Sequence, residues 1–332
     1  MSLPAIRAVR EIFPRAHLAV VARPWVADLY TREKSIDQVI VYSAQPGFRA
    51  KRKFANALRA ERFECAILLQ NAFDAAWMAW MAGIPQRIGY RRDGRGFLLT
   101  RAIPVPEPGD IPRHERFYYL ELLRRAGLIE HLPPTPTIRL DGIDAARESG
   151  ARHMAGLGIE GPTIGISPGA AYGNAKRWLP ERFAQSAARL GRSVLVFGSA
   201  AERSLCQQVT ADLQTAGVDV RNLAGETSLR EFLELAAACR LFLTNDSGAM
   251  HVASALGVPT VAVFGATDDT TTGPTGPLAS VVRAHAECSP CLLRECPIDH
   301  RCMTRVTADS VTAAGLQLWE ESALAWTHQA RS

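Results

Sequence analysis

Residues 244–251, TNDSGAMH, leave an apolar strand pattern, RLFLT, and place an amide, a carboxylate, a hydroxyl, a glycine and an imidazole before the apolar VASALGVPTVAVFG. Burying that many polar groups is costly unless something pairs with them. Read as a strand end that opens a helix, the segment leaves the backbone N–H groups of Ser247, Gly248 and Ala249 without intrahelical acceptors, an arrangement suited to a phosphate. Glycine at 248 lets a ligand come close to the backbone. The plainer alternative is a capped helix start, with Asp246 or Ser247 as N-cap and His251 on a helix face. Capping does not account for the whole group.

A second cluster repeats the design. ISPGAAYGNAKRWLPERFA follows the strand pattern TIGIS at 163–167. Ser167 and Gly169 belong to a glycine-containing loop running to 173, Lys176 follows, and Pro180 stands in a first helical turn, where proline is favoured. A lysine just past such a loop suits a diphosphate, whose negative charge it offsets as the bond to it breaks. Alone it would also pass for a surface lysine, and two such loops on strand ends weigh against that. There is no G-x-x-x-x-G-K-[ST] run, which argues against P-loop hydrolysis. GLGIEG at 156–161 precedes a strand pattern instead of following one, so it is not a dinucleotide fingerprint.

The elements that must position these loops alternate short β-branched runs with amphipathic stretches, the pattern of βα units and parallel sheets. Strands are expected at 17–22, 38–42, 65–70 and 87–90, then at 163–167, 193–198, 240–244, 260–265 and 280–284. At 332 residues the chain exceeds one core, and two domains of about 150 residues each are expected. The Pro-rich IEHLPPTPTIRL at 129–140 marks the break. The expected division is 1–145, 146–310, and a C-terminal helix at 311–332 that packs back towards the first domain. Two doubly wound domains would face each other across a cleft at the carboxyl ends of their strands, where open α/β folds bind ligands.

With 47% hydrophobic and 21% charged residues the chain reads as globular, not disordered. The net charge of +5 is too mild to imply nucleic acid, but cations gather at RAKRK (49–53) and RRDGR (91–95). These clusters read either as solvated faces or as anion sites. No run reaches the ~20 apolar residues of a membrane span; the Trp-rich AAWMAWMAGI at 75–84 is expected to be a buried helix. No secretory signal is evident, and cytoplasmic residence with peripheral membrane contact is expected. Of the seven cysteines, Cys65, Cys206 and Cys239 stand singly, as reduced thiols do. Cys288, Cys291, Cys296 and Cys302 are spaced C-x2-C-x4-C-x5-C, compact enough for one structural metal site, although reduced thiols can simply pack.

Together, ISPGAAYGNAKRWLPERFA, FLTNDSGAMHVASALGVPTVAVFGATD, TGPTGP and CSPCLLRECP resemble the ADP-heptose:lipopolysaccharide heptosyltransferases of glycosyltransferase family 9, most of all their heptosyltransferase II branch. The similarity runs over about residues 1–320. It implies the GT-B architecture of two Rossmann-like domains, the second holding a nucleotide sugar and the first facing a lipid acceptor. It further implies inverting transfer of heptose from ADP-heptose to a heptose on Kdo2-lipid A, at the cytoplasmic face of the inner membrane, with no cofactor required. By position, Lys176 would meet the diphosphate and heptose, Asp246 the donor hydroxyls, and Ser247, Gly248 and His251 the phosphates. Glu202 and Thr227 would stand on the adenosine side. Arg91, Arg92 and Arg95 in RIGYRRDGRGFLLT would grip acceptor phosphates through bidentate bonds. Related enzymes acting on autotransporters carry a four-cysteine iron site, which the resemblance makes an expectation of iron or zinc here.

In one respect the sequence departs from that family, whose chains open with an apolar strand and a Gly-Asp turn supplying the general base. MSLPAIRAVREIFP resembles the helix after that turn. The first strand and its aspartate are thus expected about 10–20 residues upstream of Met1, and Asp28, Asp37 and Asp74 are not substitutes. The alternatives are another GT-B transferase, such as a third-heptose enzyme, or a nucleotide-sugar binder without activity. Losing a central strand exposes sheet edges. An N-terminally extended version is therefore expected to melt at a higher temperature than this chain and to aggregate less; coincident melting curves would contradict that expectation.

Overall fold

The computed structural model describes residues 1–43, 47–191 and 193–329, the last six of these by backbone alone. The chain divides into two compact units, Met1–Ile138 and Arg139–Ser332.

In the first unit β1 (Ala19–Ala22) and β2 (Gln38–Val41) form a parallel pair, and β3 (Cys65–Leu68), β4 (Gln86–Tyr90) and β5 (Arg101–Ile103) form a separate parallel ladder. The helices between them are one-sided. Phe48–Ala60 turns Ala55 and Leu58 inward and its cations outward. The Trp-rich run forms Phe73–Met81, which buries Ala76, Met78 and Ala79 but leaves Trp80 exposed, so the expected buried helix is buried on one face only. The apolar residues gather in several small clusters, one around Tyr42, Leu58 and Ile84, another around Ile88, Tyr90 and Leu122. Parallel strands are ordinarily covered on both faces, yet Val21 and Val41 are each 45% exposed.

The second unit holds one six-stranded parallel sheet of β6 (Thr163–Ser167), β7 (Ser193–Val196), β8 (Asp219–Asn222), β9 (Leu241–Asn245), β10 (Thr260–Phe264) and β11 (Ala279–Arg283). Its order is β11-β10-β9-β6-β7-β8. Strands β6, β7, β9 and β10 are buried along their whole length, as their unbroken apolar runs require. The chain lays down β6 to β8 in one direction and returns to lay β9 to β11 in the other, so the order reverses between β6 and β9. Both clusters singled out from sequence follow those two strands.

Two strands carried no pattern in the sequence. β5 is three residues with two exposed, and β8, DVRN, buries only Val220 at a sheet edge. The domain break falls at 138/139 rather than 145/146. The reason is the helix Ile143–Gly156, which lies wholly in the second unit against Leu229–Ala238. At Gly150 a side-chain Cβ would stand 1.9 Å from the Glu234 carbonyl oxygen, so the two helices meet backbone to backbone. The C-terminal helix spans Ala308–Gln329. Its Val311 and Leu318 join the core of the second unit, and it packs on Pro180–Leu190 and on β9, β10 and β11.

One buried charge network in the first unit has a measurable consequence. The Glu121 carboxylate, 1% exposed, accepts from Arg124 Nε (2.8 Å) and Arg125 Nε (2.6 Å), while Arg125 Nη2 reaches Asp110 at 2.6 Å. Burial alone would raise the Glu121 pKa, but the bonds from Arg124 and Arg125 outweigh it and hold the carboxyl below its ordinary value. A depressed folded-state pKa contributes stability that is present above the unfolded carboxylate value and is lost as pH falls through the folded one. Thermal melts are expected to decline through that acid range. Glu121→Ala should lower stability near neutrality, because Arg124 and Arg125 lose their shared partner, and should flatten the acid decline.

Candidate functional site

The polar cluster sits where β9 ends. Its backbone passes directly from strand to the helix Gly248–Ala255, with Ser247 extended at the N-cap and making no side-chain cap bond. A Cβ placed on Gly248 would meet nothing within 4 Å, so the start of this helix faces open space. Capping therefore does not consume the polar group. Ser247 Oγ instead lies 3.2 Å from Thr244 Oγ1, and His251 stands half-buried about one turn into the helix.

Lys176, in the short turn Asn174–Lys176 after β6, meets Asp246 from across the strand boundary. Nζ lies 2.6 Å from Asp246 Oδ2, with side-chain exposures of 13% and 5%. Thr267 Oγ1, following β10, donates to the same oxygen at 2.6 Å. Lys176 also faces the Tyr172 ring at 4.8 Å. Three neighbouring strands thus contribute to one nearly buried ion pair beside an open helix N-terminus. An ammonium and N–H groups suit an anion, and a carboxylate suits hydroxyl groups.

Sequence reading noted Asn245 only as part of the polar group and gave it no task. It is fully buried, accepts at Oδ1 from the Trp178 backbone N–H (2.9 Å), and donates from Nδ2 to the Pro168 carbonyl (2.7 Å). One amide therefore clamps both ends of the loop that carries Lys176. The available signal was an amide inside a strand buried on both faces, which must find partners; the sequence does not say which.

Of the other donor-side candidates, Ser167 ends β6 in register with Thr244 of β9. Glu202 lies against Gly169, where a Cβ would come within 2.0 Å of its carboxylate, and the same carboxylate accepts from Ser199 N and Oγ. Thr227 follows β8 at the edge of the sheet, two strands from β6.

The cysteine segment leans on the Lys176 loop. Tyr172 OH donates to the Leu292 carbonyl (2.9 Å), Ala175 N to the Arg294 carbonyl (3.1 Å), and Cys296 N to Asn174 Oδ1 (3.3 Å). At Gly173 a Cβ would stand 2.0 Å from the Arg294 carbonyl oxygen, so only glycine fits. The segment is anchored on its other side at β10, by Leu292 N to Ala266 O (2.8 Å) and Ser289 Oγ to Gly265 O (2.6 Å). Burial, and then Cys288, Cys291 and Cys296 nearby, push the Cys302 thiol up. Among the described residues no three Cys, His, Asp or Glu side chains are grouped to hold one metal ion. What the segment does here is brace a loop.

In the first unit the three arginines separate. Arg91 and Arg92 are exposed, Arg91 lying over Gly96 and Arg92 3.7 Å from Asp93. Arg95, expected to face an acceptor, is fully buried. Its guanidinium donates to the carbonyls of Tyr90 (3.0 Å), Ala72 (3.3 Å) and Gln70 and to Asn71 Oδ1 (3.3 Å). A buried guanidinium must find acceptors for its donors, and Arg95 places four of its five by tying its own turn to residues 70–72 and to the end of β4. Asp74 is held by Lys51 at 2.6 Å, and Asp37 by Arg10 and the Leu18 N–H.

Known proteins resemble the chain over most of its length. The family model for glycosyltransferase family 9 (heptosyltransferase) matches residues 51–301. Lipopolysaccharide heptosyltransferase 2 of Escherichia coli strain K12 is 33% identical over 293 residues, covering 85% of this chain and 84% of that protein. Lipooligosaccharide heptosyltransferase 2 of Haemophilus influenzae is 30% identical over 296 residues, again 85% and 84%. Among solved structures, E. coli ADP-heptose lps heptosyltransferase II superposes with a TM-score of 0.82 at 28% identity, covering 97% of this chain and 95% of that one. The fold class is GT-B, as the resemblance implied.

Asn245→Ala would leave the Trp178 N–H and the Pro168 carbonyl without their partner. A loss of about 1–3 kcal/mol in denaturant unfolding is expected.

Proposed function

Because the chain belongs to glycosyltransferase family 9, the heptosyltransferases, we propose that it moves heptose from ADP-heptose to a heptose of the lipopolysaccharide inner core, as heptosyltransferases II do. The observation that carries this reading is the nearly buried Lys176–Asp246 pair beside the open start of Gly248–Ala255.

In this reading the donor diphosphate lies on the N–H groups at 247–249 and on Lys176, whose ammonium has donors to spare beyond Asp246. Asp246 takes donor sugar hydroxyls. The acceptor hydroxyl attacks the anomeric carbon from the face opposite the diphosphate. One C–O bond forms as the C–O bond to phosphate breaks, ADP leaves with the electron pair, and configuration inverts. Lys176 and the helix N-terminus meet the charge that develops on ADP, which is where fixed donors lower a barrier most. The hydroxyl gives its proton to water as the new bond forms, since Asp246 Oδ2 is already engaged by Lys176 and Thr267. Arg91 and Arg92 meet acceptor phosphates, and the chain works against the cytoplasmic face of the inner membrane, where a lipid-borne acceptor is presented.

ADP release on mixing ADP-heptose with heptosyl-Kdo2-lipid A tests the proposal directly. Lys176→Ala is expected to lower kcat by about 10²–10³-fold. Asp246→Asn is expected to weaken ADP-heptose binding in calorimetry much more than ADP binding, because it touches the sugar. No ADP release, or full activity in Lys176→Ala, would defeat the reading.

A further inference from the structure

The first unit carries an aromatic and cationic rim that neither the fold nor the transfer chemistry uses. Phe48 opens the helix Phe48–Ala60 and is 62% exposed, Phe73 opens Phe73–Met81 and is 40% exposed, and Phe97 in the turn Gly96–Leu98 is 78% exposed. They form one patch. Phe48 packs on Trp77 at 5.8 Å between ring centres and Phe73 on Phe97 at 6.2 Å. Phe73 and Trp77, four residues apart, share a helix face, and Trp77 packs with Leu98 beside Phe97. The three phenylalanines follow β2, β3 and β4, so the patch lies at the carboxyl ends of those strands.

Cations surround it. Phe48–Ala60 holds Arg49, Lys51, Arg52, Lys53 and Arg59 and no acidic residue. Lys51 reaches Asp74 at 2.6 Å and ties the two helices together. Arg49, Arg52 and Lys53 are exposed, and within the described residues no carboxylate pairs with them.

We infer that this rim seats the first unit on an anionic bilayer, with Phe48 and Phe97 entering the boundary between headgroups and acyl chains and the cations lying on the headgroups. The inference rests on the proposed function, in which the acceptor is held in a membrane, and names the surface that meets it. Phenyl rings have no polar handle with which to bind a sugar, whereas apolar rings beside uncompensated cations match the two layers of an anionic interface. A partner protein would take the rings but gives no account of three uncompensated cations on one helix face.

The test is co-sedimentation of the full chain with vesicles of phosphatidylcholine alone or mixed with phosphatidylglycerol. Binding to the mixed vesicles, weakening as salt is raised, is expected. Arg52→Glu with Lys53→Glu should weaken it by about fivefold or more for each charge, and Phe48→Ser with Phe97→Ser by about tenfold or more. All four substitutions are at exposed positions and should leave ADP release with a deacylated, water-soluble acceptor unchanged. Equal binding to neutral vesicles, no binding, or binding indifferent to both double variants overturns the inference. So does a concentration-dependent dimer that Phe48→Ser with Phe97→Ser abolishes, which would assign the patch to a second copy. Vesicle binding without ADP release from the soluble acceptor would defeat the proposed function and leave the docking surface standing.

Discussion

A nearly buried ammonium and a nearly buried carboxylate must stay together, and much of the second unit is arranged around that requirement. Lys176 and Asp246 are seventy residues apart in sequence. They meet because β6 and β9 are neighbours where the strand order reverses, so that two loops diverging to opposite faces of the sheet leave from adjacent strand ends. The pair would not hold without support. Asn245 pins both ends of the lysine loop, Thr267 steadies the carboxylate from a third strand, and the cysteine segment closes the outer side. Each contact is modest alone, and together they remove the freedom a lysine would otherwise have to swing into solvent.

Much of this was legible in the sequence. Continuous apolar runs announced β6, β9 and β10, and a cluster of polar residues at the end of such a run is conspicuous for the cost of burying it. Lys176, Asp246, Ser247 and Gly248 were found that way. What escaped was of two kinds. Short edge strands such as β8, with a single inward residue, have no period to detect. Contacts of buried polar side chains are set by tertiary neighbours, so a sequence does not distinguish Arg91 and Arg92, in solvent, from Arg95 three residues on, which is wholly enclosed by carbonyls. The cysteine spacing is silent on placement for a related reason. Spacing establishes that four thiols can approach one another, while the backbone bonds to Tyr172, Asn174 and Ala175 decide where the segment lies.

The two units also differ in how their interiors are built. The second gathers the apolar side chains of one sheet face and of the C-terminal helix into one large cluster, with a smaller one around Met250, Ala262 and Phe264, whereas the first divides them among several small ones over two separate ladders. Large continuous cores resist local opening better than small ones. The Lys176–Asp246 pair stands in the unit with the larger core, and the aromatic rim in the one whose core is divided.

The contact between Gly173 and the Arg294 carbonyl leaves a mark on how such a chain can drift over time. A side chain at 173 would run into the Arg294 carbonyl where the segment crosses the loop, and the backbone there, at φ 159° and ψ 174°, disfavours one as well. Any substitution at 173 therefore forces the segment around Arg294 to shift. The two stretches, more than a hundred residues apart, are bound to change in step.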